Sequence, residues 1–177
     1  MTKSMTELWV FGYGSLIWRP GFPYLERRPA RLFGAHRSLC VYSWVHRGTQ
    51  EKPGLVLGLD RGGTCRGIAF RVAAAERENV VAYLREREQV TAVYLERVRP
   101  VRFDDGATAS AIAYLVDRRH PQYAGKLDEE TMLRLISASE GRSGHNRDYV
   151  LNTAAHLAEL GIHDRALDRL ATQLRSG

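Results

Sequence analysis

The chain has 177 residues, 44% of them hydrophobic and 26% charged, a composition that suits a globular protein with a single domain spanning residues 1–177. It has no apolar run of about 18 residues, which argues against a membrane-spanning helix, and its first ten residues, MTKSMTELWV, lack the apolar core of a signal peptide. The net charge is +6, but the basic residues are scattered without a run of about five, so we expect no nucleic-acid partner.

The first part of the chain has the pattern of strands. A short aromatic and β-branched stretch, ELWVF, leads into the glycines of the next segment, and the prolines of WRPGFPY predict that no helix follows those glycines. Three further stretches have the hydrophobic pattern of strands: SLCVYSWV (38–45), GLVLGLD (54–60) and GGTCRGIAFRV (62–72), the last beginning with a turn.

The sequence pattern of the second part of the chain predicts helices on either side of a β-hairpin. A helix is predicted over AERENVVAYLREREQV (75–90), and two strands, VYLERVRPVRF (93–103) and SAIAYLVD (110–117), are joined by the turn residues DDGAT. Three helices follow: LDEETMLRLISASEG (127–141), NRDYVLNTAAHLAELG (146–161) with Asn146 as its cap, and DRALDRLATQLRSG (164–177), expected to be exposed. Strands followed by helices, without regular alternation, favour an α+β fold.

The cysteines and histidines predict no metal site. Cys40 and Cys65 lack CxxC spacing and are interpreted as reduced thiols of a cytoplasmic protein. The six histidines offer no pair of metal ligands at the spacing of one helix face. We therefore expect a cytoplasmic protein without a bound metal.

The segment VFGYGSLIWRP (10–20) contains a glycine-rich loop with several possible chemistries. A dinucleotide-binding turn needs a third glycine where Ile17 stands, and a long helix after it. A nucleophile elbow needs glycines two residues on each side of Ser15, where Tyr13 and Ile17 stand instead. Two interpretations remain: a plain tight turn, or a loop whose backbone N–H groups bind an anion or a developing oxyanion.

Glu88 is the second candidate functional residue. At about 100° per residue, it falls on the same face of the predicted helix as Val80 and Leu84, whereas Glu86 falls on the opposite face. A carboxylate on an apolar face has a raised pKa, which suits a general acid or base near neutral pH. The alternative is that Glu88 lies at a frayed helix end or pairs with an arginine.

Taken together, these segments resemble the ChaC-type γ-glutamylcyclotransferases. WVFGYGSLIW is similar to the substrate loop of that family, and AYLREREQ to its helix with a catalytic glutamate, which falls on Glu88. HRGT with KPGLVLGLDRGG, and GRSGHNRDYV with its tyrosine at Tyr149, resemble two further blocks of the family in the same order. The loop residues to which the resemblance assigns substrate binding are Val10, Phe11, Gly12, Tyr13, Gly14, Ser15 and Leu16. One departure is Val45, where some members carry an aspartate.

The resemblance implies a small mixed β-barrel or sheet flanked by helices, a γ-glutamylcyclotransferase-like fold. It further implies a cytoplasmic, monomeric enzyme that cleaves glutathione into 5-oxoproline and cysteinylglycine without a metal or organic cofactor. In this interpretation Glu88 acts first as general base and then as general acid, so Ser15 binds the substrate and is not a nucleophile.

Several assignments stay open in the sequence. Tyr149 either contacts the γ-glutamyl group or packs in a helical core. One of two arginines, with Arg47 preferred to Arg37, either binds a substrate carboxylate or lies on the surface. The substrate could also be another γ-glutamyl amine or dipeptide, and a non-catalytic basic binding module is the alternative of a different class.

Overall fold

The computed structural model describes residues 7–88 and 92–177. The tertiary contacts divide the chain into two compact units, one containing the chain up to Arg37 with Leu59–Asp117, the other containing Ser38–Gly58 with Arg118–Gly177. The expectation of a single domain stays a prediction. So does the expectation about the first ten residues, because residues 1–6 lie outside the described part of the chain.

The strands form a closed barrel, which confirms the expected mixed β-barrel. In barrel order the strands are β1 (Leu8–Gly12), β3 (Gly54–Val72), β2 (Glu26–Ser43), β4 (Tyr94–Phe103) and β5 (Thr108–Val116). β1 pairs antiparallel with β3 and parallel with β5, through Trp9 opposite Ala111, and this parallel pairing closes the barrel. Val10, Leu32 and Phe70 are fully buried, because alternate side chains of each strand point into the apolar core.

The predicted strands 54–60 and 62–72 are one continuous strand, β3. Gly62 and Gly63 have positive φ angles of 100° and 73°, the conformation that a turn requires, yet the strand continues through them. Glycine adopts these angles without a steric penalty, so the chain can bend here without leaving the sheet. The prediction of a turn that separates two strands at these glycines was wrong.

A short helix, α1 (Ser15–Trp18), follows the glycine loop, which corrects the prediction that no helix forms there. Four residues are enough for one helical turn before Pro20. The prolines limit this helix to a single turn but do not prevent it.

The predicted helix over 75–90 consists of a 3₁₀ turn, Ala74–Glu76, and α2 (Arg77–Glu88). Its last two predicted residues, Gln89 and Val90, lie outside the described residues. Val80 and Leu84 are buried and Glu86 is exposed, as the helical periodicity predicts.

The second unit carries the remaining helices and a short hairpin. Its elements are α3 (Glu129–Ala138), β6 (Glu140–Gly141), β7 (Gly144–His145), α4 (Asn146–Glu159) and α5 (Arg165–Ser176). Asp128 and Asp164 cap α3 and α5. Each side chain accepts a hydrogen bond from the backbone N–H of the third residue of its helix. None of the described helices is long and apolar enough to cross a membrane.

Two expectations about these helices were wrong. The cap of α4 is His145, and Asn146 is its first helical residue with a completely buried side chain. α5 is not an exposed helix, because Leu167, Leu170 and Leu174 along one of its faces are buried. The three leucines recur at helical spacing, so their burial stabilises the packing of α5 within the second unit.

Candidate active site

The glycine loop lies where β1 ends and α1 begins, in the first unit. Val10, Phe11 and Leu16 are buried, so their side chains belong to the core, whereas the side chain of Ser15 is exposed. Gly67 on β3 lets the loop backbone approach closely, because a Cβ at this position would lie 2.3 Å from the carbonyl oxygen of Gly12. Gly12, Tyr13 and Gly14 are buried as well, so Ser15 is the exposed position of residues 10–16 at which a ligand would contact the loop.

Arg37 supports this loop instead of facing a ligand as a free cation. Its Nε donates to the carbonyl oxygen of Tyr13 at 2.8 Å, and its Nη2 donates to that of Arg66 at 2.6 Å. A guanidinium that satisfies two backbone carbonyls holds the loop in place. This position favours a structural role for Arg37 over the carboxylate-binding role considered from the sequence.

Glu88 is the last described residue of α2 and lies in the same unit as the loop. Its side chain is only 16% exposed, and burial raises the pKa of its carboxyl group, opposed by the charge of Arg87, whose Nε lies 3.9 Å from a Glu88 oxygen. The carboxyl group thus has the environment that the helical pattern predicted. The weak pairing with Arg87 does not cancel the effect of burial.

A second glutamate of the unit, Glu96 on β4, has the opposite environment. Hydrogen bonds from Arg85 at 3.1 Å lower the pKa of Glu96, and the hydroxyl of Tyr114 donates to it at 2.9 Å. Burial, this hydrogen bond and the charges of Glu96 and Glu88 raise the pKa of Tyr114. Tyr114 therefore stays protonated and Glu96 stays ionised near neutral pH, whereas Glu88 has the raised pKa expected of a group that transfers protons.

The second unit brings Arg47 and Tyr149 together. The guanidinium carbon of Arg47 lies 5.5 Å from the centre of the Tyr149 ring, and its Nη1 donates to the carbonyl oxygen of His145 at 3.1 Å. The hydroxyl oxygen of Tyr149 accepts a hydrogen bond from the backbone N–H of Leu57 at 3.0 Å. Both residues thus have structural contacts, and a substrate-binding role for either stays a prediction.

Sequence reasoning missed Arg87 and Gly67, which shape the loop. Arg87 donates to the Ser15 hydroxyl at 3.1 Å across 72 residues of chain. The only local signal for Arg87 was its place beside Glu88, and an isolated glycine in a strand pattern was the signal for Gly67.

Among the described residues, no cluster of three or more histidine, cysteine, aspartate or glutamate side chains could hold a metal ion. Cys40 and Cys65 are both buried, and in the described residues neither forms a disulfide.

The fold matches that of solved γ-glutamylcyclotransferases. The crystal structure of a yeast γ-glutamylcyclotransferase specific to glutathione superposes with a TM-score of 0.86 at 22% identity, covering 97% of this chain and 96% of the yeast chain. YkqA from Bacillus subtilis superposes with a TM-score of 0.60 at 18% identity, covering 99% of this chain and 56% of that one. At these identities the likeness establishes the fold alone.

Sequence similarity establishes the family. The chain matches the ChaC-like protein family over residues 8–176. It is 34% identical to the glutathione-specific γ-glutamylcyclotransferase of Escherichia coli (strain K12), over 95% of this chain and 73% of the relative. It is 35% identical to the glutathione-specific γ-glutamylcyclotransferase 1 of Homo sapiens, over 83% of this chain and 68% of the relative. The chain therefore belongs to the ChaC-like family.

Proposed function

We propose that this protein is a γ-glutamylcyclotransferase that converts glutathione into 5-oxoproline and cysteinylglycine. The names of its relatives from Escherichia coli and Homo sapiens support the reaction and the substrate. The structural observation that carries the proposal is Glu88, a buried carboxyl group with a raised pKa in the same unit as the glycine loop.

The reaction is an attack of the substrate's α-amine on its own γ-carbonyl carbon. Glu88 takes a proton from the α-ammonium group, whose pKa is about 8 when free, and the amine then forms the C–N bond of the five-membered ring. As the original C–N bond breaks, Glu88 returns its proton to the leaving nitrogen. The second proton of the attacking nitrogen also passes to the leaving group, so cysteinylglycine departs as an ammonium ion and Glu88 is again a carboxylate.

The loop has two parts to play in this mechanism. Backbone N–H groups of residues 13–16 stabilise the oxyanion that develops on the γ-carbonyl oxygen. The Ser15 oxygen accepts a hydrogen bond from Arg87, and the O–H of the same group is the donor that we propose binds the substrate. Attack by the substrate's own amine requires no acyl-enzyme, so Ser15 binds the substrate without reacting with it.

Arg47 and Tyr149 are the two residues of the second unit for which a substrate-binding role is also proposed. Replacing Arg47 by lysine keeps the charge but removes the planar guanidinium that binds a carboxylate through two hydrogen bonds, so we expect a several-fold higher KM for glutathione. An unchanged KM would assign Arg47 to its contacts with Tyr149 and His145 alone.

The decisive experiment is incubation of the purified protein with glutathione, followed by measurement of 5-oxoproline and cysteinylglycine. Equal amounts of the two products are expected. Turnover of other γ-glutamyl amines or dipeptides in place of glutathione would favour the alternative substrate class. Absence of 5-oxoproline from every γ-glutamyl compound would overturn the proposal and favour a non-catalytic binding module.

The mechanism uses no metal or organic cofactor, so incubation with EDTA followed by removal of the chelate should leave the rate unchanged. Loss of activity that added metal restores would contradict this expectation. We also expect a monomer, which light scattering after size-exclusion chromatography tests, and a cytoplasmic location.

A further inference from the structure

Arg87, the residue before Glu88, contacts both ends of α1. Its Nη2 donates to the hydroxyl of Ser15, the first residue of α1. Its Nη1 lies within hydrogen-bond distance of the carbonyl oxygens of Arg19 and Pro20, just beyond the end of α1, the latter at 3.2 Å. The same Nη1 is 3.1 Å from the hydroxyl of Tyr83, one turn earlier on α2. One guanidinium thus bridges the last turn of α2 and the segment that follows the glycine motif.

This segment needs outside support. A helix of four residues has few internal hydrogen bonds and is unstable by itself. Its cap, Gly14, has no side chain to bind the first amides, and the bonds from Ile17 to Gly14 and from Arg19 to Ser15 make up a single turn. Arg87 supplies contacts at both ends of that turn, which fixes Ser15 and the backbone beside it.

The position of Arg87 in the chain matters as much as its contacts. Arg87 and Glu88 are consecutive residues of one helix. A displacement of the last turn of α2 therefore moves the proposed acid/base together with the guanidinium that contacts α1. Building on the proposed function, we propose that Arg87 is a positioning residue. It holds Ser15, at the end of the glycine loop, in the position relative to Glu88 that the reaction requires.

The contacts of Arg87 with both ends of α1 require arginine rather than any other cationic side chain. The planar guanidinium presents several N–H groups in a fixed fork, whereas the ammonium of lysine is a single point that cannot reach both ends of α1. Gly21 has a positive φ of 73°, and a Cβ there would overlap the hydroxyl of Tyr83. The chain leaving α1 is thus shaped to pass the same tyrosine that Arg87 contacts.

The test uses Arg87→Met and Arg87→Lys, with Arg97→Met as a control that removes an exposed guanidinium whose hydrogen bond goes to the carbonyl of its neighbour, Glu96. Thermal melting first establishes that each variant is folded. Hydrogen exchange is then followed by mass spectrometry at the amides of residues 13–21, and kcat and KM for glutathione are measured separately.

In both Arg87 variants we expect amide protection in residues 13–21 to fall about tenfold. We expect kcat to fall about 100-fold with KM changed less than about threefold, because a displaced oxyanion loop weakens binding of the transition state more than of the substrate. Arg97→Met should match the wild-type protein in all three measurements. Full activity in Arg87→Lys, or unchanged protection in Arg87→Met, would overturn the proposal.

A double variant separates positioning from a general structural effect. If Arg87 acts through the loop, Ser15→Ala should slow kcat in the wild-type background but have little further effect when Arg87→Met is already present. Independent, multiplicative effects would contradict the proposal. If the wild-type protein releases no 5-oxoproline, the proposed function fails, and exchange at residues 13–21 alone then decides whether Arg87 holds this segment.

Discussion

Glutamates of the same unit differ sharply in environment. Burial raises the pKa of Glu88, whereas the hydrogen bonds from Arg85 lower the pKa of Glu96, and Glu86 lies exposed on the far side of α2. A pair of carboxyl groups whose environments separate their pKa values indicates which one transfers protons. Of these three glutamates, Glu88 combines a mostly buried side chain with a weak counter-charge, which supports its proposed role in proton transfer.

Replacing Glu88 by glutamine should abolish release of 5-oxoproline. The amide keeps the size of the side chain but can neither take nor return a proton, so we expect a loss of about 1000-fold in kcat. Glu86→Gln, two residues earlier on the exposed face, is the matched control and should retain activity. Turnover near the wild-type rate in Glu88→Gln would show that another group transfers the proton.

At the scale of elements, a single side chain ties α4 to β3. Asn146 at the start of α4 is completely buried, donates to the carbonyl oxygen of Leu55 at 2.8 Å and accepts from its N–H at 2.9 Å. A strand residue whose two backbone groups are both satisfied by one asparagine depends on that residue. The amide of Asn146 is therefore a fixed joint within the second unit.

Replacing Asn146 by alanine should lower the free energy of unfolding by roughly 3 kcal/mol, because it leaves the N–H and C=O of Leu55 without partners in the interior. Urea denaturation measures the change. Asn152→Ala, on an exposed position of the same helix, should change stability by less than about 0.5 kcal/mol. Equal stabilities of the two variants would indicate that water or another group satisfies Leu55.

The elements were predicted best where the pattern is local. Helices α2, α3 and α4 and the β4–β5 hairpin follow from periodicity and turn residues, which depend on neighbours in the chain. Continuity of β3 through Gly62 and Gly63, and the cap of α4, did not follow. Both depend on partners far along the chain, such as the strand pairing of β3 and the bonds of Asn146 to Leu55.

At the scale of the whole molecule, the net charge of +6 does not require a polyanionic partner. Many arginines in the described residues use their guanidinium groups on backbone carbonyls within their own unit, namely Arg37 on Tyr13, Arg87 on Pro20, Arg47 on His145 and Arg147 on Leu174. The planar fork of arginine suits this role better than lysine does. Part of the basic composition therefore serves internal structure.

The buried Glu88 also makes the stability of the molecule depend on pH. Because its pKa is raised in the folded state, its contribution to stability is full below the ordinary glutamate value of 4.5 and is lost as pH rises through the raised value. The variant Glu88→Gln does not ionise, so its stability does not fall in this way as the pH rises. The difference in melting temperature between the variant and the wild-type protein should therefore grow from pH 4 towards neutral pH in favour of the variant. A difference that is the same at every pH would contradict the raised pKa.

The sequence by itself determined the family, the order of its motifs and the face of α2 on which Glu88 lies, because motif order and helical periodicity are properties of neighbouring residues. Only the tertiary structure decided how the barrel closes, that Arg87 holds Ser15 across 72 residues, and that Tyr149 binds the backbone of Leu57 across 92 residues. It also decided the proton affinity of Glu88, since burial depends on which distant side chains surround it. These features arise from contacts that form only when remote segments pack together.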